Sequence, residues 1–280
     1  MIAGTSTGGF IAAGLSAPHW SILEENSCDL SDYKPRSYDY SDSKPKFSAS
    51  ELLNFYQQDQ AKDIFSCKWS FFNLLRKPLN FNRYFWNQFC ETRLSQALTE
   101  LVIPATNIAD NSTHLFTRYD AHNDSSKDHT FVEALLATTA APTFFPPHNG
   151  YLDGGVHLNN PAMEAYHEAI RYEVASEKIS VLSLGTGGYI PDPLNPDKYW
   201  SQLFWPKDNH NAQECSTDCQ MYDLLGNRYQ RWQVWFEEPI KFNDINSIPY
   251  LLEIGNQYIE ELDASDENPM NKLVESFHDI

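Results

Sequence analysis

A chain of 280 residues is long enough to bury one large core, and a composition that is 41% hydrophobic and 21% charged excludes a disordered, collagen-like or coiled-coil polypeptide. With 38 acidic against 20 basic residues the formal charge is −18, which repels phosphate backbones and anionic lipid headgroups and argues against a nucleic-acid partner. No stretch approaches the roughly 20 apolar residues of a membrane span, no basic-then-apolar start reads as a signal peptide, and five scattered cysteines suit reduced thiols better than a disulfide framework.

In chain order, the first four residues read as the end of a buried strand that runs into Gly4-Thr5-Ser6-Thr7-Gly8-Gly9 and then an apolar helix over Phe10 to Leu15. Residues 24 to 46 are polar and aperiodic, hence a surface loop. Ser48 stands three residues before Glu51, a capping-box spacing, so a helix should follow with Leu52, Leu53, Phe55 and Tyr56 on its apolar face. Ile64 to Cys90 holds four basic and no acidic residues among many aromatics. That local reversal of charge fits either core packing or a surface that meets lipid. Helical pattern resumes at Tyr84 to Leu98. Leu101 to Ile108 and Leu115 to Tyr119 read as strands, Asp120 to Asp128 as a polar loop, and Phe131 to Thr139 as a helix stopping at Ala141-Pro142. After Tyr151-Leu152-Asp153-Gly154-Gly155, a helix opens at Pro161 and a buried strand covers Ile179 to Leu184. Pro191 to Pro206 is a loop, Arg228 to Phe236 alternates like a strand, and Ser247 caps a last helix to Leu262. Strands alternating with helices define an α/β domain over residues 1–262, followed by an acidic tail over 263–280.

Gly4-x-Ser6-x-Gly8 has the spacing of a nucleophile elbow, in which the serine sits on a strained strand-to-helix turn and side chains at the flanking positions would collide. The bare pattern occurs by chance in roughly one chain in ten of this length, so its weight comes from the apolar strand before it and the helix after it. A serine hydroxyl needs a base. The candidates are an acid-oriented histidine or a carboxylate acting directly. Asp153 ends a short strand, and Gly154 and Gly155 leave its carboxylate uncrowded and admit another backbone. An aspartate near pKa 3.9 needs burial to serve as a base at neutral pH, which predicts a greasy cleft.

The elbow, the turn Thr138-Thr139-Ala140-Ala141-Pro142-Thr143-Phe144-Phe145-Pro146, the acid turn with Asn159-Asn160-Pro161-Ala162 after it, and Leu182-Ser183-Leu184-Gly185-Thr186-Gly187 are four motifs in one order, and Thr92-Arg93-Leu94-Ser95-Gln96-Ala97-Leu98, followed by an apolar strand, adds to them. Together they resemble the patatin-like phospholipases. The resemblance covers about residues 1 to 262. It implies a three-layer α/β/α fold with a mixed central sheet. It also implies a Ser–Asp dyad without histidine, metal or cofactor, with Ser6 as nucleophile and Asp153 as base, and cleavage of phospholipid or other acyl-lipid esters through an acyl-enzyme. That family carries a glycine-rich Asp-Gly-Gly-Gly-x-Arg-Gly segment, ahead of the serine, that builds most of the oxyanion hole. Residues 1–280 do not contain it. An N-terminally incomplete domain is therefore expected, with the amide of Thr7 as the remaining donor at the elbow.

Two alternatives stay open on the sequence. One is a His-dependent esterase using His167, His210 or His278, with His148 and His157 also near Asp153 in sequence. The other is an impaired remnant that binds lipid or protein. His210, Cys215 and Cys219 lack a fourth ligand for a structural metal. Gly185 to Gly188 has no Lys-Ser or Lys-Thr after it, so it is not a phosphate loop and is expected at the rim of the site. Localisation is open between cytoplasm, a membrane surface met through 64–90, and export as an effector.

Overall fold

The strand that organises the molecule is β2, Leu101–Asn107, whose first six residues are all buried, as expected of a central strand covered on both faces. On one flank it pairs antiparallel with β3, Ser112–Thr117, from Val102 to Asn107. The other flank is divided. β1, Ile2–Ala3, runs parallel against Leu101 and Val102, and β4, Tyr151–Asp153, runs antiparallel against Ala105 to Asn107. Among the described residues, no strand lies between them on that side, at Ile103 and Pro104. The computed structural model describes residues 1–19, 44–57, 81–189, 216–241 and 244–265, together with 269 and 271. Residues 64–80, the proline-rich 191–206, His210, Cys215 and His278 lie outside the described residues.

Helix α1, Thr7–Ser16, is built of small and apolar residues and sinks Phe10, Ala12 and Ala13 into the main core. Helix α2, Ala49–Phe55, starts with the expected box: the Ser48 hydroxyl accepts from the Glu51 amide at 3.3 Å and the Glu51 carboxylate accepts from the Ser48 amide at 2.8 Å. Helix α3, Phe81–Phe89, buries Phe85 and Phe89 among Phe10, Leu94 and Phe131. The expected helix to Leu98 stops here instead, because Cys90 turns left-handed at φ 46°. Cys90 is buried and disulfide-bonded, which departs from the expectation of a reducing compartment, while Cys219 is free and exposed.

β3 begins and ends earlier than its hydrophobic pattern predicts. The polar stretch after it is helical, as α4, Arg118–Asn123, because the Thr117 hydroxyl accepts from the Asp120 amide and caps it. Helix α5, Phe131–Thr138, opens with a second capping box, Thr130 with Glu133, and buries Phe131, Ala134, Leu135 and Ala137 against β2.

A smaller core forms where α6, Ala162–Arg171, meets a helix over 216–225, here α7. Ala162, Met221, Leu225 and Tyr229 fill it. The strands β5, Val181–Leu184, and β7, Tyr229–Trp232, pair parallel beside this core. The run expected as one strand from Arg228 to Phe236 is thus two, since β8, Trp235–Phe236, pairs separately with β6, Gly188–Tyr189. The last helix, α8, is Ile248–Ala264. Ser247 stands at its N-cap, but its hydroxyl donates to Asp244 at 3.0 Å rather than capping. Among the described residues no helix is long and apolar enough to cross a membrane. The described residues form an α/β protein with a mixed four-stranded sheet at its centre.

Candidate active site

The divided flank of β2 creates the site. β1 climbs along β2 and ends with the Gly4 amide donating to the Val102 carbonyl at 3.0 Å, while β4 descends from the other end and stops at Asp153, opposite Ala105. Both chains therefore deliver their next residues to the same gap. The turn out of β1 holds Ser6 at φ 55° and ψ −120°, a conformation that costs a non-glycine residue about 1 to 3 kcal/mol. Gly4 is indispensable to this turn, since a Cβ there would lie 2.0 Å from the Gly8 carbonyl oxygen. Gly8 is different: among the described residues a Cβ at that position meets nothing within 4 Å. The expectation that collision demands both elbow glycines is corrected, and the crowded neighbour is Gly9, whose Cβ would come to 3.0 Å from the Thr138 methyl.

The Ser6 hydroxyl donates to Asp153 Oδ2 at 2.6 Å. Asp153 is only 6% exposed, and its other oxygen, Oδ1, accepts from the Gly155 amide at 2.7 Å. Gly154 lets β2 approach, because a Cβ there would be 2.3 Å from the Pro104 carbonyl oxygen. The backbone of Asp153 is tied on both sides: its amide donates to the Ala140 carbonyl at 3.0 Å and its carbonyl accepts from the Thr106 hydroxyl at 3.1 Å. Thr7 is the first residue of α1, where an amide has no acceptor within the helix. Its carbonyl accepts from the Tyr56 hydroxyl at 3.2 Å, which braces α2 against the elbow. Burial pushes the Tyr56 phenol well above its ordinary range, with Tyr84 beside it adding to the shift, and raises Tyr84 itself to about 12.

Sequence reasoning singled out Ser6, Asp153 and their glycines but missed the groups that place them. The Ser6 amide donates to Thr138 Oγ1 at 2.9 Å, and the Thr138 hydroxyl donates on to the Pro104 carbonyl at 2.5 Å. Thr5 Oγ1 donates to the Leu158 carbonyl at 3.0 Å, linking the elbow to the loop behind the acid turn. Thr5 stands in the glycine elbow, but nothing in the sequence around Thr106 or Thr138 signals that the fold brings all three hydroxyls to one gap.

The histidines near Asp153 in sequence go elsewhere. His148 pairs with Tyr151 through the backbone, His157 faces Asn111 Oδ1 at 3.1 Å, and the His167 ring rests near Tyr166. The other motifs are structural braces. Ser95 Oγ donates to Asp128 at 2.8 Å and the Phe131 amide to the Thr92 carbonyl at 2.9 Å, fastening the Thr92–Leu98 segment to the start of α5. Asn160 is buried and bonds Asp218 and Ser183, and Arg231 donates to Ser183 Oγ at 2.8 Å, so the Asn159–Ala162 and Leu182–Gly187 motifs meet in one polar network. The glycine turn at 185–188 has Arg231, Gln233, Trp235 and Phe236 as its close neighbours. A cavity of about 210 Å³ lies over β3, lined by His114, Asp120, Lys127, His129 and Arg171 among others, and includes neither Ser6 nor Asp153.

The patatin-like phospholipase family model matches residues 1–166, more than half of the chain. The chain belongs to this family. Patatin-like protein 2 of Arabidopsis thaliana is 30% identical over 76% of the chain and 51% of its own length. Patatin-like protein 3 of the same plant is 25% identical over 98% of the chain and 69% of its own length. The cGAMP-activated phospholipase of Escherichia coli (strain TW11681) is 28% identical over 67% of the chain and 50% of its own length. The chain thus spans about half the length of the first and third of these relatives.

Proposed function

We propose that this protein is a phospholipase A-type lipid acyl hydrolase that works through a Ser6–Asp153 dyad. The observation that carries the proposal is the 2.6 Å hydrogen bond from the Ser6 hydroxyl straight to the Asp153 carboxylate, on a turn that holds Ser6 at φ 55°. No imidazole stands between the two groups. Ser6 Oγ attacks the ester carbonyl while its proton passes to Asp153 Oδ2, and the carbonyl becomes an oxyanion. The Gly155 amide keeps Oδ1 occupied and so presents Oδ2 to the serine. The Thr7 amide supplies a donor to the oxyanion. As the tetrahedral adduct collapses, the lysolipid oxygen leaves with the proton that Asp153 holds, and the acyl group stays on Ser6. Asp153 then takes a proton from water, whose oxygen attacks the acyl-enzyme; as this second adduct collapses, Asp153 returns the proton to Ser6 Oγ and the fatty acid is released.

The same reading includes the three-layer α/β/α arrangement, a hydrolase domain over 1–262 and an acidic tail over 263–280. It also keeps membrane contact through 64–90, though with Phe85 and Phe89 removed from that surface because they lie in the core. The test is hydrolysis of phosphatidylcholine vesicles followed by mass spectrometry of the products. Free fatty acid and lysolipid should appear with wild-type protein and not with Ser6→Ala; equal release from both proteins would contradict the proposal.

A further inference from the structure

The turn at the end of α5 touches both halves of the dyad, and the acyl-transfer chemistry does not account for it. Thr138 is fully buried, at 0% exposure, and its single hydroxyl serves two partners. It accepts from the Ser6 amide at 2.9 Å and donates to the Pro104 carbonyl at 2.5 Å. The direction is fixed, because the amide can only donate and the carbonyl can only accept. Two residues on, the Ala140 carbonyl accepts from the Asp153 amide at 3.0 Å.

We infer that Thr138 is the positioning residue for the nucleophile: its hydroxyl pins the Ser6 backbone in the strained elbow against β2, at the spacing that lets the serine oxygen reach Asp153. The inference rests on the acyl-hydrolase role proposed for Ser6 and Asp153. A residue at positive φ persists only where its surroundings over-determine it, and here the constraint on the Ser6 amide is this one hydroxyl. The anchor beneath it is firm. Pro104 lies in β2 opposite Leu115, and its carbonyl points into the gap between β1 and β4, on the same flank as the Val102 carbonyl two residues earlier. Proline has no amide proton, so the gap leaves no donor stranded at this position.

Thr138 also limits the oxyanion site. With the Ser6 amide engaged by Thr138, the elbow's donor to a developing oxyanion is the amide of Thr7. The Thr138 methyl group packs toward α1, 3.0 Å from where a Gly9 Cβ would be.

The test compares wild-type protein with Thr138→Val, which keeps the shape and deletes the hydroxyl, and Thr138→Ser, which restores it, using p-nitrophenyl butyrate as substrate. Thr138→Val should lower kcat by about 10- to 100-fold with KM within about two-fold, and Thr138→Ser should recover most of that loss. If Thr138→Val does not fold, Thr138→Cys takes its place, with a kcat between those of Ser and an inactive protein. A crystal structure of the valine or cysteine variant should show Ser6 Oγ beyond hydrogen-bond distance of Asp153. Wild-type kcat in the valine or cysteine variant, a serine variant as slow as the valine one, or an unchanged Ser6 to Asp153 distance would overturn the inference. Wild-type protein that turns over no ester would instead overturn the acyl-hydrolase proposal, and the crystallographic distance would still decide the role of Thr138.

Discussion

Ser6 and Asp153, 147 positions apart in the chain, meet at 2.6 Å because β1 and β4 approach one another end to end along a single flank of β2. A parallel and an antiparallel partner share that flank, and Ser6, just after β1, and Asp153, at the end of β4, fall into the gap. The dyad is thus a product of sheet topology, and its members need no shared helix or loop.

The two glycines of the elbow have unequal tasks, and substitution should separate them. Gly4→Ala places a Cβ 2.0 Å from the Gly8 carbonyl oxygen, a clash with backbone that cannot give way, and should cost several kcal/mol of stability together with all activity. Among the described residues the Cβ of Gly8→Ala meets nothing within 4 Å, and this change within α1 should raise stability by about 0.5 to 1 kcal/mol through the lower entropy of the unfolded chain. Urea unfolding midpoints of the two variants check both signs.

Strain at Ser6 can be measured independently of catalysis. Ser6→Ala and Ser6→Gly both remove the hydroxyl, but only glycine relaxes at φ 55°. The glycine variant should therefore be more stable than the alanine variant by about 1 to 2 kcal/mol, against the usual penalty for replacing alanine by glycine. Equal stabilities in thermal or urea unfolding would show that the elbow is not strained.

The α/β class and most elements were legible because their periods and caps are local. Ser48 with Glu51 marks the start of α2 by chemistry contained in four residues. β2 was legible as an apolar run in spite of Pro104, and the gap on its flank explains why a proline is tolerated in a central strand. The misreadings involve forces that the local pattern does not carry. Asp120 to Asp128 is polar enough for a loop, yet the Thr117 cap makes its first part helical. Gly8 fits the elbow spacing, but whether a Cβ collides there depends on what packs outside α1. Ser6 and Asp153 could be named from their turns; Thr138 and Thr106 could not, since a hydroxyl's partner is set by where β2 runs.

Stability should fall on mild acidification. Burial holds His114 and His148 below the usual imidazole range, His129 adding to the effect at His114 and Glu133 opposing it at His148. In the unfolded chain both would take up protons near pH 6.5, so between that pH and their lower folded values the unfolded state binds more protons and is favoured. Their contribution is present above about pH 6.5 and is lost as pH falls below it. Urea unfolding at pH 7.5 and 5.5 should show lower stability at 5.5, and the difference should shrink in a His114→Phe, His148→Gln double variant. A double variant with the full wild-type difference would assign the pH dependence to other groups.

The central claim is that Asp153 activates Ser6 directly, and the most direct measurement is the rate at which a fluorophosphonate forms a covalent adduct, followed by intact mass and located by peptide mapping. The account predicts one adduct, on Ser6, slowed at least about 100-fold by Asp153→Asn and unchanged when the described histidines His148, His157 and His167 are replaced. An adduct that forms on Ser6 as fast in Asp153→Asn as in wild type, or none on Ser6 in folded wild-type protein, would contradict it.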